Sequence, residues 1–227
     1  MITSNVFLRV FYIKGQDYGS AFTIDYEDRQ YLITAKHIVP AVAKNGLLQL
    51  YHEKVWKSFK VELVGLGDGE IDITVLVPSV RLSPALKLEP TADGIIIGQD
   101  VYFLGYPYKM WTQVGDINRK FPFPYIKKGI LSSSFNDEDG IQRFFIDAIN
   151  NPGFSGGPIV FSQPNRVDFK VAAVVSKFKI EFEEILNKEG EKTDLKCAYN
   201  TGFLIGYGIK HAIDLIKQNP IGLKLNS

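Results

Sequence analysis

The sequence predicts an all-β protein. Short segments rich in Val, Ile, Phe and Tyr recur along the chain between turn residues, which is the pattern of many short strands in a barrel or a sandwich. Helical periodicity is scarce. The chain of 227 residues is long enough to bury a substantial core, as one compact domain or as two closely packed halves.

Each predicted strand is a short apolar run bounded by residues that favour turns. In chain order these runs are Val6 to Ile13, Ala21 to Asp25, Tyr31 to Thr34, Leu47 to Tyr51, Phe59 to Leu66, Ile73 to Pro78, Val101 to Leu104, Ile126 to Ser132, Arg143 to Ile146, Ile159 to Phe161 and Val171 to Ser176.

Helices are expected at one or two places. From Lys210 to Gln218, apolar residues recur on one face, and Asn219-Pro220 ends the run. The segment His37 to Ala43 could form a brief helical turn, although a proline within it weakens that prediction. The Pro-, Gly- and Asp-containing stretch Pro84 to Gly98 is interpreted as the connection between two halves.

Composition excludes several classes of function. A net charge of +1 gives no global electrostatic reason to expect nucleic acid or an anionic membrane as a partner. The single cysteine, Cys197, favours neither a disulfide nor a zinc motif, so no metal and no cofactor are expected. Because no cleavable leader is evident and no run approaches the length of a membrane span, we expect a cytoplasmic protein.

One run carries the chemistry: Asn151-Pro152-Gly153-Phe154-Ser155-Gly156-Gly157-Pro158 places a serine in a glycine-flanked turn. Upstream, His37 ends an apolar segment and Asp72 begins another. A serine hydroxyl needs an imidazole to accept its proton and a carboxylate to hold the imidazole tautomer. The turn would present the N–H groups of Gly153 and Ser155 as an oxyanion hole. Asp68 and Glu70 compete with Asp72 for the carboxylate role, but only Asp72 starts an apolar run.

These motifs resemble the trypsin-like serine peptidases, and within them the bacterial HtrA-like branch. The resemblance rests on Gly19-Ser20-Ala21-Phe22, Thr34-Ala35-Lys36-His37, Ile71 to Leu76, Val101 to Pro107, Gly129 to Ser132, Asp147 to Val160, Val171 to Ser176 and Gly206 to Ile209. It implies a single peptidase domain over 1–227. Two six-stranded antiparallel Greek-key barrels would span about 1–90 and 98–210, and a short helix about 210–218.

The same resemblance implies a function and a binding cleft. The chain would be a serine endopeptidase acting on protein or peptide substrates through an acyl-enzyme, with His37 as base, Asp72 as its orienting group and Ser155 as nucleophile. Alignment to the family puts Ile149 at the floor of the specificity pocket and Asn150, Ser176, Phe178, Gly206 and Gly208 near its walls or entrance. No carboxylate is placed to receive Lys or Arg, so an aliphatic residue is expected on the acyl side.

Two features depart from the family. Digestive members have an aspartate before the serine that pairs with a newly cut amino terminus, whereas this chain has Phe154, which argues against activation by cleavage. The HtrA-like branch usually carries a peptide-binding PDZ domain after the protease, and none is expected here. The resemblance does not indicate an oligomeric state.

Several alternatives stay open from the sequence. Gly153 to Gly157 also fits the nucleophile elbow of α/β-hydrolases, with Asp168 or Asp194 and His211 downstream, although the required long helices are missing. The chain could also be a latent or idle protease-like module that grips peptides by strand addition. The basic, aromatic stretch Pro107 to Lys128 is interpreted as a surface loop, and Glu181 to Asp194 as a mobile or protruding hairpin able to gate the cleft.

Overall fold

A computed structural model describes residues 2–40 and 46–225. The first half contains helix α1 (Ser4–Phe7) and strands β1 (Val10–Lys14), β2 (Tyr18–Tyr26), β3 (Arg29–Thr34), β4 (Leu47–His52), β5 (Val55–Leu66) and β6 (Thr74–Pro78). The second contains β7 (Asp100–Gly105), β8 (Tyr125–Asn136), β9 (Gln142–Asp147), β10 (Pro158–Ser162), β11 (Phe169–Leu186), β12 (Lys192–Gly208), α2 (Lys210–Gln218) and β13 (Leu223–Lys224).

Both halves have the same strand order. In the first, antiparallel pairing runs β3-β2-β1-β4-β5-β6, and a β3–β6 pairing closes these strands into a ring. In the second, the closed barrel runs β7-β8-β9-β12-β11-β10. In each ring the fourth strand in sequence returns to pair with the first, which defines a Greek key. The predicted all-β, two-barrel fold is confirmed, with β13 added at the edge of β3.

A shared core joins the two barrels. One cluster of buried side chains draws on both halves, including Phe22 and Ile33 from the first and Leu104 and Val174 from the second. The Tyr106 ring stacks on that of Tyr12 at 4.9 Å between ring centroids. Its single hydroxyl proton is shared between the carbonyls of Val10, at 3.1 Å, and Pro122, at 2.9 Å. Burial of both aromatic rings therefore stabilises the contact between the halves.

The structure corrects some element boundaries. The predicted strand Val6 to Ile13 is wrong at its start, because Ser4–Phe7 is helical and the strand begins at Val10. This single turn brings both Val6 and Val10 into the core. The predicted turn His37 to Ala43 appears as a 3₁₀ turn over Lys36–Ile38, and residues 41–43 lie outside the described residues.

The acidic and basic stretch Glu181 to Asp194 forms a protruding hairpin, as predicted. Strands β11 and β12 pair well past the barrel, as far as Leu186 and Lys192. Most side chains of this ribbon are exposed. The stretch Pro107 to Lys128 is less of a loop than predicted, since it starts with a 3₁₀ turn and already includes the beginning of β8.

Candidate active site

Adjacent strands bring His37 and Asp72 together although 35 positions separate them in the sequence. Strands β3 and β6 pair with Thr34 opposite Thr74, His37 follows β3 in its 3₁₀ turn, and Asp72 precedes β6. The imidazole Nδ1 lies 2.7 Å from the Asp72 Oδ2 atom. The backbone N–H of His37 donates to Oδ1 at 2.9 Å. Two bonds to one carboxylate fix both the position of the turn and the orientation of the ring.

The environment of Asp72 favours its charged form. Burial by itself would raise the pKa of this carboxyl, but hydrogen bonds from the His37 side chain and the Ser176 hydroxyl, with the attraction of the imidazole and the His37 N–H, outweigh it. The net result is a pKa below the ordinary value. Asp72 is therefore an acceptor at neutral pH, and Nδ1 of His37 carries the proton toward it.

Ser155 lies across the cleft on the turn before β10, and Ser176 links it to the pair. The Ser155 hydroxyl donates to the carbonyl of Ser176 at 2.8 Å. The hydroxyl of Ser176 donates to Asp72 Oδ2 at 2.6 Å. Within residues 2–40 and 46–225, no hydrogen bond joins Ser155 Oγ to His37. Both side chains line the same cleft of about 760 Å³.

The backbone at Gly153 accepts only glycine. Its φ angle is +108°, a left-handed value that side chains oppose. A Cβ atom placed there would lie 2.2 Å from the carbonyl oxygen of Tyr106. This close approach of two backbone segments presents Gly153 at the cleft surface, beside Ser155.

The carbonyl groups of the serine turn, which we define as residues 149–157, are tied back into the protein. From 149 to 155 each carbonyl accepts a hydrogen bond; the donors, in order, are Lys127 Nζ, Asn200 Nδ2, the Phe154 N–H, the Tyr108 N–H, Ser20 Oγ, the Gly157 N–H and the Ser20 N–H.

The N–H groups of Gly153 and Ser155 have no such partner. Among residues 2–40 and 46–225, neither the Gly153 nor the Ser155 N–H has an acceptor. In a planar trans peptide the C=O and N–H point in opposite directions. Because the Pro152 carbonyl points to the Tyr108 N–H at 2.8 Å, the Gly153 N–H points away from that contact. Two unpaired donors thus lie at the cleft beside the serine hydroxyl.

The structure places two of the six predicted substrate-binding residues at the cleft. Ser176 and Phe178 line the cleft. Ile149 is 58% exposed, whereas Asn150 is buried beneath the serine turn. A Cβ atom on Gly206 would contact Ile159 inside the barrel, and one on Gly208 would contact Gln142. These four are not among the described residues that line the cleft, and their binding roles stay predictions.

Several cleft residues were not found from the sequence. One wall contains Asp17, Tyr18, Tyr108 and Lys109, and the other continues from Phe178 to Ile180. The Lys109 ammonium lies 4.5 Å from the centre of the Tyr18 ring, a cation–π distance. Ile180 lies on β11 immediately before the protruding hairpin, so the base of the hairpin borders the cleft. These cleft residues are scattered along the sequence, so no local pattern would have identified them.

Other candidate chemistry finds no support. In the described part of the chain, no group of three or more His, Cys, Asp or Glu side chains could hold a metal ion. His211 is largely buried on α2 and accepts a hydrogen bond from the Gln142 N–H, while burial lowers its pKa. The nucleophile-elbow alternative is wrong, because two Greek-key rings replace the doubly wound sheet that it needs.

A family match agrees with this architecture. The trypsin-like peptidase domain matches residues 19–167. The chain belongs to this family. The matched segment of the trypsin-like domain includes His37, Asp72 and the whole serine turn. No curated protein matches the chain by sequence. Among the described residues, no helix is long and apolar enough to cross a membrane.

Solved structures share the fold. The HtrA-type protease AlgW with a tripeptide is similar at a TM-score of 0.57 and 23% identity, over 95% of this chain and 61% of its own. The Rv3671c protease of M. tuberculosis H37Rv, in an inactive form, has a TM-score of 0.58 and 17% identity, over 95% of this chain and 91% of its own. The chain thus spans about 61% of the length of AlgW.

Proposed function

We propose that the chain is a serine endopeptidase that hydrolyses peptide bonds through an acyl-enzyme. One observation carries the proposal: His37, hydrogen-bonded to Asp72, lines the same cleft as Ser155, and Gly153 and Ser155 there have backbone N–H groups with no acceptor among the described residues. This set provides a base, an orienting carboxylate, a nucleophile and an oxyanion hole.

The mechanism follows from these positions. Rotation about the Cα–Cβ bond of Ser155 releases its hydroxyl from the Ser176 carbonyl and turns it toward His37. His37 takes the proton as Ser155 attacks the substrate carbonyl, and the Gly153 and Ser155 amides bind the oxyanion. His37 then protonates the leaving amine, and water, activated by the same imidazole, releases the acyl group. Asp72, with its lowered pKa, stays charged and stabilises the imidazolium.

The cleft favours an extended peptide with an aliphatic residue on the acyl side. Phe178 and Ile180 form an apolar wall, and the one carboxylate among the described cleft-lining residues is that of Asp17. AlgW was solved with a tripeptide, which supports peptides as the substrate class here. A peptide library cleaved mainly after Arg would contradict this specificity.

One observation favours a second candidate, a latent or idle peptide-binding module. Ser155 donates to Ser176 rather than to His37, which is the arrangement of a resting nucleophile. A binder with the same fold would use the cleft edge and leave this hydroxyl unused.

Labelling with a fluorophosphonate probe separates the two functions. An active hydrolase labels at Ser155, Ser155→Ala abolishes labelling, and turnover of casein falls by about 10⁶-fold. Ser132→Ala, at an exposed position on β8, is the matched control and should label like the wild type. Absence of labelling in folded wild-type protein would favour the binder, and casein cleavage by purified Ser155→Ala would refute the assignment.

A further inference from the structure

Two adjacent lysines on β8 have opposite environments. Lys128 is exposed and forms an ion pair with Asp100 at 2.8 Å. Lys127 points to the other face of the strand and is partly buried. Its ammonium donates to the Ile149 carbonyl, and to the Asn151 Oδ1 atom at 3.1 Å. Both acceptors belong to the serine turn.

The Lys127 charge has an unusual set of partners. Across residues 2–40 and 46–225, no carboxylate lies within ion-pair distance of its ammonium. Its neighbours are neutral oxygens and two rings, with the ring centres of Phe103 at 5.9 Å and Phe154 at 6.0 Å. Burial lowers the pKa of Lys127. Folding therefore makes the charged form of Lys127 less favourable than it is in water.

The Lys127 contacts are well placed to control the serine turn. They bind residues 149 and 151, on either side of Asn150. The carbonyl of Asn150 in turn accepts a hydrogen bond from the Asn200 side chain at 2.7 Å. Gly153 follows two residues after Asn151. Where digestive relatives have an aspartate, this chain has Phe154, a buried ring packed edge-on against Phe103 at 4.9 Å. The ring at position 154 cannot form an ion pair, so an ordered turn needs another anchor.

We propose that Lys127 is a positioning residue that holds the serine turn in its catalytic shape from inside the chain, with no need for a newly cut amino terminus. This inference rests on the proposed peptidase function. The ammonium fixes two oxygens ahead of Gly153, so that the Gly153 and Ser155 N–H groups stay directed at the cleft. Without the ammonium, the segment before Gly153 loses its only charge-assisted hydrogen bonds among the described contacts.

The test replaces Lys127 by methionine, with Lys128→Met as the matched control. In Lys127→Met, kcat and the rate of fluorophosphonate labelling fall at least about tenfold, and at most by the roughly 10²–10³ lost when an oxyanion donor is removed outright. KM changes little, because the oxyanion is bound only in the transition state. The thermal midpoint stays close to that of the wild type, since Lys127 is only partly buried and has no ion-pair partner among the described residues. Lys128→Met keeps wild-type kcat, and Lys127→Arg restores part of the loss.

The outcomes separate this inference from the proposed function. Wild-type protein that does not label would refute the peptidase itself. Wild-type protein that labels, together with Lys127→Met of equal kcat, overturns the positioning role alone. A fall in kcat that merely follows a lower thermal midpoint, or a rise in KM at constant kcat, also overturns it. Should Lys127→Met fail to fold, Asn151→Ala removes one acceptor and should show a smaller loss of kcat at unchanged KM.

Discussion

Replacing Gly153 by alanine tests the central geometry of the site. Gly153 has a φ of +108°, where a non-glycine residue is strained by about 1–3 kcal/mol. The added Cβ would lie 2.2 Å from the Tyr106 carbonyl oxygen and 3.1 Å from the Pro107 Cα. Both are backbone atoms that cannot move aside like the end of a flexible side chain. The serine turn must therefore shift and carry the Gly153 N–H with it.

The expected loss is that of one oxyanion donor. Such a loss costs about 10²–10³ in kcat, or about 2.7–4 kcal/mol of barrier. The assay is casein hydrolysis combined with probe labelling, and thermal unfolding is measured on the same samples. KM should change little, because the donor binds charge that develops only in the transition state.

Gly140→Ala is the matched control. Gly140 also has a positive φ, +75°, but its added Cβ would meet no atom within 4 Å. It lies between β8 and β9 and is not among the described residues that line the cleft, so this variant isolates backbone strain. We expect a stability loss of about 1 kcal/mol with normal kcat. Full activity of Gly153→Ala, or a loss no larger than its unfolded fraction explains, would refute the reasoning.

Two further changes probe charge. Asp72→Asn should lower kcat by about 10⁴-fold through the wrong imidazole tautomer. Since the folded pKa of Asp72 is lowered, its contribution to stability is present above its unfolded pKa and lost as pH falls below about 4. Thermal midpoints across acidic pH should therefore fall less steeply in the variant than in the wild type, and parallel curves would contradict the pKa direction. Asp25→Ala removes the ion-pair partner of the buried Arg9, which lies 2.6 Å away. We expect the free energy of unfolding to fall by about 3 kcal/mol. A loss under about 1 kcal/mol in a denaturant titration would exclude this.

Much of the candidate site was predictable because its signals are local. His37, Asp72 and Ser155 sit at the ends of apolar runs or in a glycine-rich turn, where short patterns carry the information. Ser20 belongs to the segment Gly19-Ser20-Ala21-Phe22, one of the motifs that resemble the trypsin-like family, so the sequence drew attention to this residue but not to its contacts with the serine turn. For Lys127 the sequence signal was weak. Adjacent residues on a strand point to opposite faces, so one of the two lysines at 127 and 128 had to point away from solvent.

The sequence by itself determined the β class, most strand positions, the carboxy-terminal helix and the identities of the chemical groups, because alternation, turn residues and short motifs act over a few residues. Only the tertiary structure decided which side chains converge. Lys127, Asn200 and Ser20 reach the serine turn from three different strands, and Gly206 faces the barrel core instead of the cleft. These outcomes depend on strand register and on packing between barrels, which are long-range properties that no local pattern encodes.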